Sequence, residues 1–104
     1  MDWDIYKLGA ELNSYNYQEV QDGIMAILQK GSNVVLDMTG CKYVSSMGLR
    51  VLLYSKKVAM AKELQVYLVG VNSEVKDIMS VTGFDNFFDS FDTMEECMEK
   101  VKNL

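Results

Sequence analysis

The chain has 104 residues, of which 49% are hydrophobic and 24% charged, and it carries a net charge of −5 at pH 7 with two cysteines and no histidine. That balance suits one ordered globular domain, 1–104, rather than a disordered chain. The missing histidine removes the commonest general base and a leading metal ligand, and Arg50, the only arginine, cannot form the basic cluster that nucleic acid requires.

Met1-Asp2-Trp3-Asp4-Ile5 has neither the basic head nor the long apolar core of a signal peptide, and no apolar run approaches the ~20 residues needed to cross a bilayer. A cytoplasmic protein without direct membrane insertion is expected. Ile5, Tyr6 and Leu8 predict a short strand over Asp4 to Leu8, ended by Gly9-Ala10. Asn16 followed by Glu19 resembles a capping box, and Val20, Ile24, Ile27 and Leu28 fall on one face of a first helix. Gly23 weakens this helix, and Gly31 is placed to end it.

Asn33 to Met38 is almost continuously apolar and β-branched, which predicts a central strand covered on both faces. After the Thr39-Gly40 turn, a second helix is predicted from about Ser46 to Lys62. Leu49, Leu52, Leu53 and Met60 form one apolar stripe; Val51, Tyr54, Val58 and Ala61 form another. Gln65 to Gly70 reads as a buried strand. Asn72-Ser73 opens a third helix with Val75, Ile78, Met79 and Thr82 on one side, stopped by Gly83. Phe87, Phe88 and Phe91 mark a last strand. Asp92 with Glu95, or Thr93 with Glu96, then opens a fourth helix whose inner face carries Met94, Cys97, Met98, Val101 and Leu104. The alternation predicts an α/β fold: a mostly parallel sheet of about four strands with four helices.

No dinucleotide fingerprint, phosphate-binding loop, nucleophile elbow or paired-cysteine motif is present. Cys41 and Cys97 read as reduced thiols, Asp37 as a carboxylate capping the turn after its strand, and the methionines and phenylalanines as core. No metal, cofactor or enzymatic activity is expected; an unrecognised small enzyme would have only Asp37, Ser45 and Ser46 to work with. What remains is Tyr43-Val44-Ser45-Ser46-Met47-Gly48-Leu49. A serine there can cap the first turn of the second helix, and the free N–H groups with the helix dipole would favour a phosphate. Met47, Arg50, Val51 and Tyr54 can share one face running from that turn, either toward a partner or into the core.

Leu36-Asp37-Met38-Thr39 followed by Tyr43 to Leu49 resembles the signature of STAS domains, specifically bacterial anti-sigma-factor antagonists. Gly9-Ala10-Glu11-Leu12-Asn13 is similar to that family's "G-x-L-D" segment, and Val81-Thr82-Gly83-Phe84 with Phe87-Phe88 to its "TGL…F" ending. The resemblance implies a non-enzymatic module that binds an anti-sigma factor with serine-kinase activity until one serine is phosphorylated. The matching position is Ser46, with Ser45 as the minor alternative; Asn13, Ser45, Met47, Gly48, Arg50 and Val51 are the expected partner surface. Ser45 and Asn13 stand where the family usually carries carboxylates. The family also commonly has another strand before Asp4 to Leu8, so an uncovered sheet edge, and with it a homodimer, is expected here. The alternative reading is an unphosphorylated STAS scaffold or transport-accessory subunit.

Overall fold

The computed structural model describes residues 2–103. In chain order the elements are β1 (Trp3–Lys7), β2 (Glu11–Leu12), α1 (Tyr17–Gln29), β3 (Asn33–Asp37), β4 (Tyr43–Val44), α2 (Ser46–Ala61), β5 (Val66–Val69) and α3 (Ser73–Thr82). A 3-10 turn (Phe84–Phe87), β6 (Asp89–Phe91) and α4 (Met94–Lys102) complete the fold. Four strands pair in parallel in the order β1-β3-β5-β6, and β2 and β4 form a separate parallel pair.

The apolar runs of β3 and β5 are buried along their length because both sheet faces are covered. Successive side chains alternate between those faces. Val34, Leu36, Val66 and Leu68 enter the larger core with Ile24 and Leu28 of α1, Leu49, Val51 and Leu52 of α2, and Val75 and Met79 of α3. Val35, Tyr67 and Val69 enter a smaller core with Cys97 of α4, joined by Trp3, Phe91, Met94, Met98 and Val101. Tyr67 is its centre, with ring centroids 4.8 Å from Trp3 and 5.4 Å from Phe91. At the other end of the sheet, buried Asn33 joins strands through its side chain: Oδ1 accepts from Gln65 N–H at 2.7 Å.

Several local expectations are corrected. β2 and β4 were not foreseen, since two residues each are too few to show a period. Asn16 does stand at the N-cap of α1, but its side chain does not bond the helix. The reciprocal box lies three residues earlier: Asn13 Oδ1 accepts from Asn16 N–H at 3.1 Å and Asn16 Oδ1 accepts from Asn13 N–H at 2.8 Å. Phe87 and Phe88 are both outside the last strand, Phe87 at the end of the 3-10 turn and 52% exposed, Phe88 buried just after it; left-handed Gly83 (φ 78°) sends the chain into that turn before β6 begins. On α2 the buried face runs through Gly48, Leu49, Val51, Leu52, Ser55 and Ala59, leaving Met60 and Tyr54 exposed. Ile78 and Thr82 of α3 are also exposed. Thr93, of the two alternatives, caps α4, its Oγ1 accepting from Glu96 N–H at 3.2 Å. Leu104, expected on the inner face of α4, lies outside the described residues, as does Met1.

Candidate functional site

The segments that follow β1, β3 and β5 meet at the carboxyl end of the parallel sheet, the usual site of function in open α/β folds. Three hydrogen bonds hold them. Lys42 N–H donates to Ala10 O at 2.8 Å and Ser45 N–H to Leu12 O at 2.9 Å, extending the β2–β4 pair. Asn72 Nδ2, at the start of α3, donates to Lys42 O at 3.1 Å. Asp37 closes the turn after β3, its Oδ1 accepting from Thr39 N–H at 3.1 Å and Thr39 Oγ1 at 2.6 Å, the capping role expected of it.

With Leu12 opposite Val44, continuation of the register sets Asn13 beside Ser45, so residues 32 positions apart in sequence become neighbours. The two serines then take different roles. Ser45 is the N-cap of α2, half-buried, with extended backbone and its Oγ accepting from Gly48 N–H at 3.1 Å. Ser46 is the first helical residue and is exposed. The N–H of Leu49 donates to Ser45 O at 2.9 Å, so it is the N–H groups of Ser46 and Met47 that a helix leaves without an intrahelical acceptor. The first turn carries no acidic residue.

Gly48 explains how close this turn comes to β2. A Cβ there would lie 2.7 Å from Leu12 O, 2.8 Å from Leu12 Cγ and 2.9 Å from Val44 Cγ1. Gly48 is therefore buried against β2 and β4 and offers no partner surface. Val51, at 1% exposure in the larger core, offers none either, because the face that passes through Met47 and Arg50 turns inward at residue 51. Arg50 is exposed and Met47 half-buried rather than fully exposed. Asn13 is half-buried, its Oδ1 occupied by the N–H groups of Asn16 and Tyr15. Two exposed aromatics at this end were overlooked: Tyr15, 97% exposed, and Tyr43, 50% exposed beside Glu11. Their signal was available, since neither tyrosine falls on the periodic apolar face of a predicted helix or strand. Burial pushes the Cys41 thiol upward, though backbone hydrogen bonding opposes this.

A profile of the STAS domain family matches residues 4–97. The chain belongs to the STAS domain family. BtrV of Bordetella bronchiseptica, assigned as an anti-sigma factor antagonist, is 31% identical over 78 residues, which cover 74% of this chain and 67% of BtrV. Among solved STAS structures, one assigned the same role in Thermotoga maritima superposes with a TM-score of 0.85 at 25% identity, over 94% of this chain and 87% of that one. The Bacillus cell fate determinant SpoIIAA in its phosphorylated form gives 0.75 at 17% identity, over 96% and 91% of the two chains, a likeness of fold alone. The STAS fold and the four-helix, mostly parallel architecture expected from the sequence are those observed. Among the described residues, no helix of this STAS chain is long and apolar enough to cross a membrane.

Proposed function

We propose that this STAS chain is a cytoplasmic anti-sigma-factor antagonist whose binding to an anti-sigma factor with serine-kinase activity is ended by phosphorylation of Ser46. The observation that carries the assignment to Ser46 is the division of labour between the two serines. Ser45 Oγ is engaged as the cap of α2, whereas Ser46 stands exposed beside it. The relatives named as anti-sigma factor antagonists support the role.

The mechanism is one of charge. Phosphorylation adds about −1.5 to −2 charge at the start of α2, where the helix dipole favours an anion by roughly 0.3–1 kcal/mol. Asn13 and Ser45 are neutral, and no carboxylate in the first turn opposes the dianion. The domain therefore stays folded, while a partner shaped around a neutral hydroxyl would have to desolvate a dianion. The contact surface comprises Ser45, Ser46, Met47 and Arg50, with Asn13, Tyr15 and Tyr43 around them; Tyr, Met and Arg are the residue types that carry interfaces. The chain acts by binding and supplies no catalysis. A second copy of the chain is also a partner.

The test is intact-mass measurement after incubation with candidate anti-sigma kinases and ATP, for wild type, Ser46→Ala and Ser45→Ala. Wild type and Ser45→Ala are expected to gain one phosphate and Ser46→Ala none. Phosphate on Ser46→Ala at the wild-type level would overturn the assignment. No phosphate on wild type with any kinase would favour the unphosphorylated scaffold.

A further inference from the structure

Among the described residues, β1 is the outer strand of the four-stranded sheet, paired only to β3. Asn33 N–H donates to Asp2 O, and Leu8 N–H to Asp37 O, each at 2.9 Å. In a parallel ladder alternate residues bond the neighbour, so Asp2, Asp4, Tyr6 and Leu8 face β3 and the backbone groups of Trp3, Ile5 and Lys7 point outward. The side chains of those three residues share the α4 face of the sheet, yet α4 lies over Val35, Tyr67 and Val69 and leaves Ile5 55% exposed. An edge of this kind is a template on which another strand can pair.

We infer that the strand is β1 of a second copy, paired antiparallel about a two-fold axis at Ile5. The inference deepens the reading of a second copy as partner and stands apart from the Ser46 switch. Its basis is self-complementarity. In this register Ile5 meets Ile5 as a hydrogen-bonded pair, each donating to and accepting from the other, and Trp3 meets Lys7 at both ends through the remaining outward groups. Lys7 then lies against an aromatic ring, and no like charges face each other. Asp4 falls opposite Tyr6, and its carboxylate is already paired with Lys30 at 2.9 Å. A register centred on Asp4 sets two aspartates face to face and, like one centred on Tyr6, separates the two exposed isoleucines. The product is one continuous eight-stranded sheet.

The tests use the full chain. Sedimentation velocity from micromolar to millimolar concentration is expected to show a monomer–dimer equilibrium that Ile5→Lys weakens by about tenfold or more, since like charges then meet across the axis. Ile5 is exposed enough for this variant to fold, which its thermal melt checks. Oxidation of Ile5→Cys is expected to give a covalent dimer, because paired Cα atoms about 5.5 Å apart lie within disulfide range. Lys7→Cys, whose two copies lie more than about 12 Å apart in this register, is expected to give none. A chain that stays monomeric throughout would overturn self-association itself. A dimer indifferent to Ile5→Lys, or cross-linked through Lys7→Cys and not Ile5→Cys, would overturn this edge and register alone. A 1:1 complex with an anti-sigma factor that Ile5→Lys disrupts would show that the edge takes a foreign strand, which also overturns the inference.

Discussion

Ser45→Ala and Ser46→Ala alter adjacent hydroxyls by the same single atom, and they should behave in opposite ways. Ser45 Oγ accepts from Gly48 N–H at 3.1 Å in a half-buried position, so its loss leaves a first-turn donor unsatisfied. Removing an N-cap of this kind costs about 0.5–2 kcal/mol. For a chain of this size, ~1 kcal/mol corresponds to a fall in Tm of about 4–8 °C. Ser46 is exposed in the first helical position, where alanine is at least as good a helix former, so Ser46→Ala should melt at or slightly above wild type. Ser46→Asp should keep or slightly raise Tm through the helix dipole, while weakening anti-sigma-factor binding by more than about tenfold. Circular dichroism melts read the first quantity and titration calorimetry the second. If Ser46→Ala melted below Ser45→Ala, the cap and the switch would have been assigned to the wrong serines; unchanged affinity for Ser46→Asp would refute charge exclusion.

Four further sets of measurements probe the site and the core around it. Gly48→Ala should destabilise despite a helix-propensity gain of ~1 kcal/mol, because overpacking typically costs about 1–3 kcal/mol and Leu12 O is fixed by the Ser45 N–H; a urea midpoint at or above wild type would contradict this. Asn13→Ala should lose ~1 kcal/mol with the box at the start of α1, whereas Asn13→Asp, which keeps an acceptor for the N–H groups of Tyr15 and Asn16, should retain most of it in the same urea titration. Val51→Ala should cost about 2 kcal/mol of stability with little direct effect on partner affinity, and Arg50→Ala the reverse; paired melts and calorimetry would expose an error in either direction. Cys41 and Cys97 are buried and their thiols are pushed up chiefly by burial, so at pH 8 less thiolate is present than for a free cysteine; both should react slowly with a thiol reagent until denaturant is added, and labelling at the free-thiol rate would refute their burial.

The elements legible in the sequence were those whose burial imposes a period. Val34 to Leu36 and Val66 to Val69 lie between two covered faces, so their apolar runs marked central strands, and Val20, Ile24 and Leu28 recorded the inner face of α1. The start of α2 was legible as a helix boundary, but the surroundings of the candidate site were not. Glu11-Leu12 and Tyr43-Val44 are too short to announce a strand, and their pairing, which sets Asn13 beside Ser45, is a long-range fact that no local window contains. The same gap explains the misreading of Gly48 and Val51. Their spacing from Met47 fits a helix face, but which face meets the core depends on how α2 rests on β2, and that approach is set by the contact with Leu12. The capping box was misplaced because Asn13 and Asn16 can both accept and so can clasp each other, a pairing that the search for a following glutamate overlooked.

The supports around Ser46 bear on how a phosphate there would act. Leu12 O is bonded by Ser45 N–H, Gly48 lies against that carbonyl, and Asn72 ties the start of α3 to the same loop. A first turn fixed on three sides has little freedom to rearrange, and the local charge gives it little reason to, since the dipole is favourable and the first turn holds no carboxylate. Ser46 would thus report its modification through surface charge, with the fold unchanged. The neutral Asn13 and Ser45 sharpen that contrast: before phosphorylation the patch carries no negative charge from either residue, so nearly all the difference a partner senses comes from the phosphate. Restoring carboxylates by Asn13→Asp with Ser45→Asp should therefore shrink the ratio of unphosphorylated to phosphorylated affinity by weakening the unphosphorylated complex. A ratio that instead grew would mean that the partner presents a cation to this patch, and that its binding is steered by attraction to negative charge.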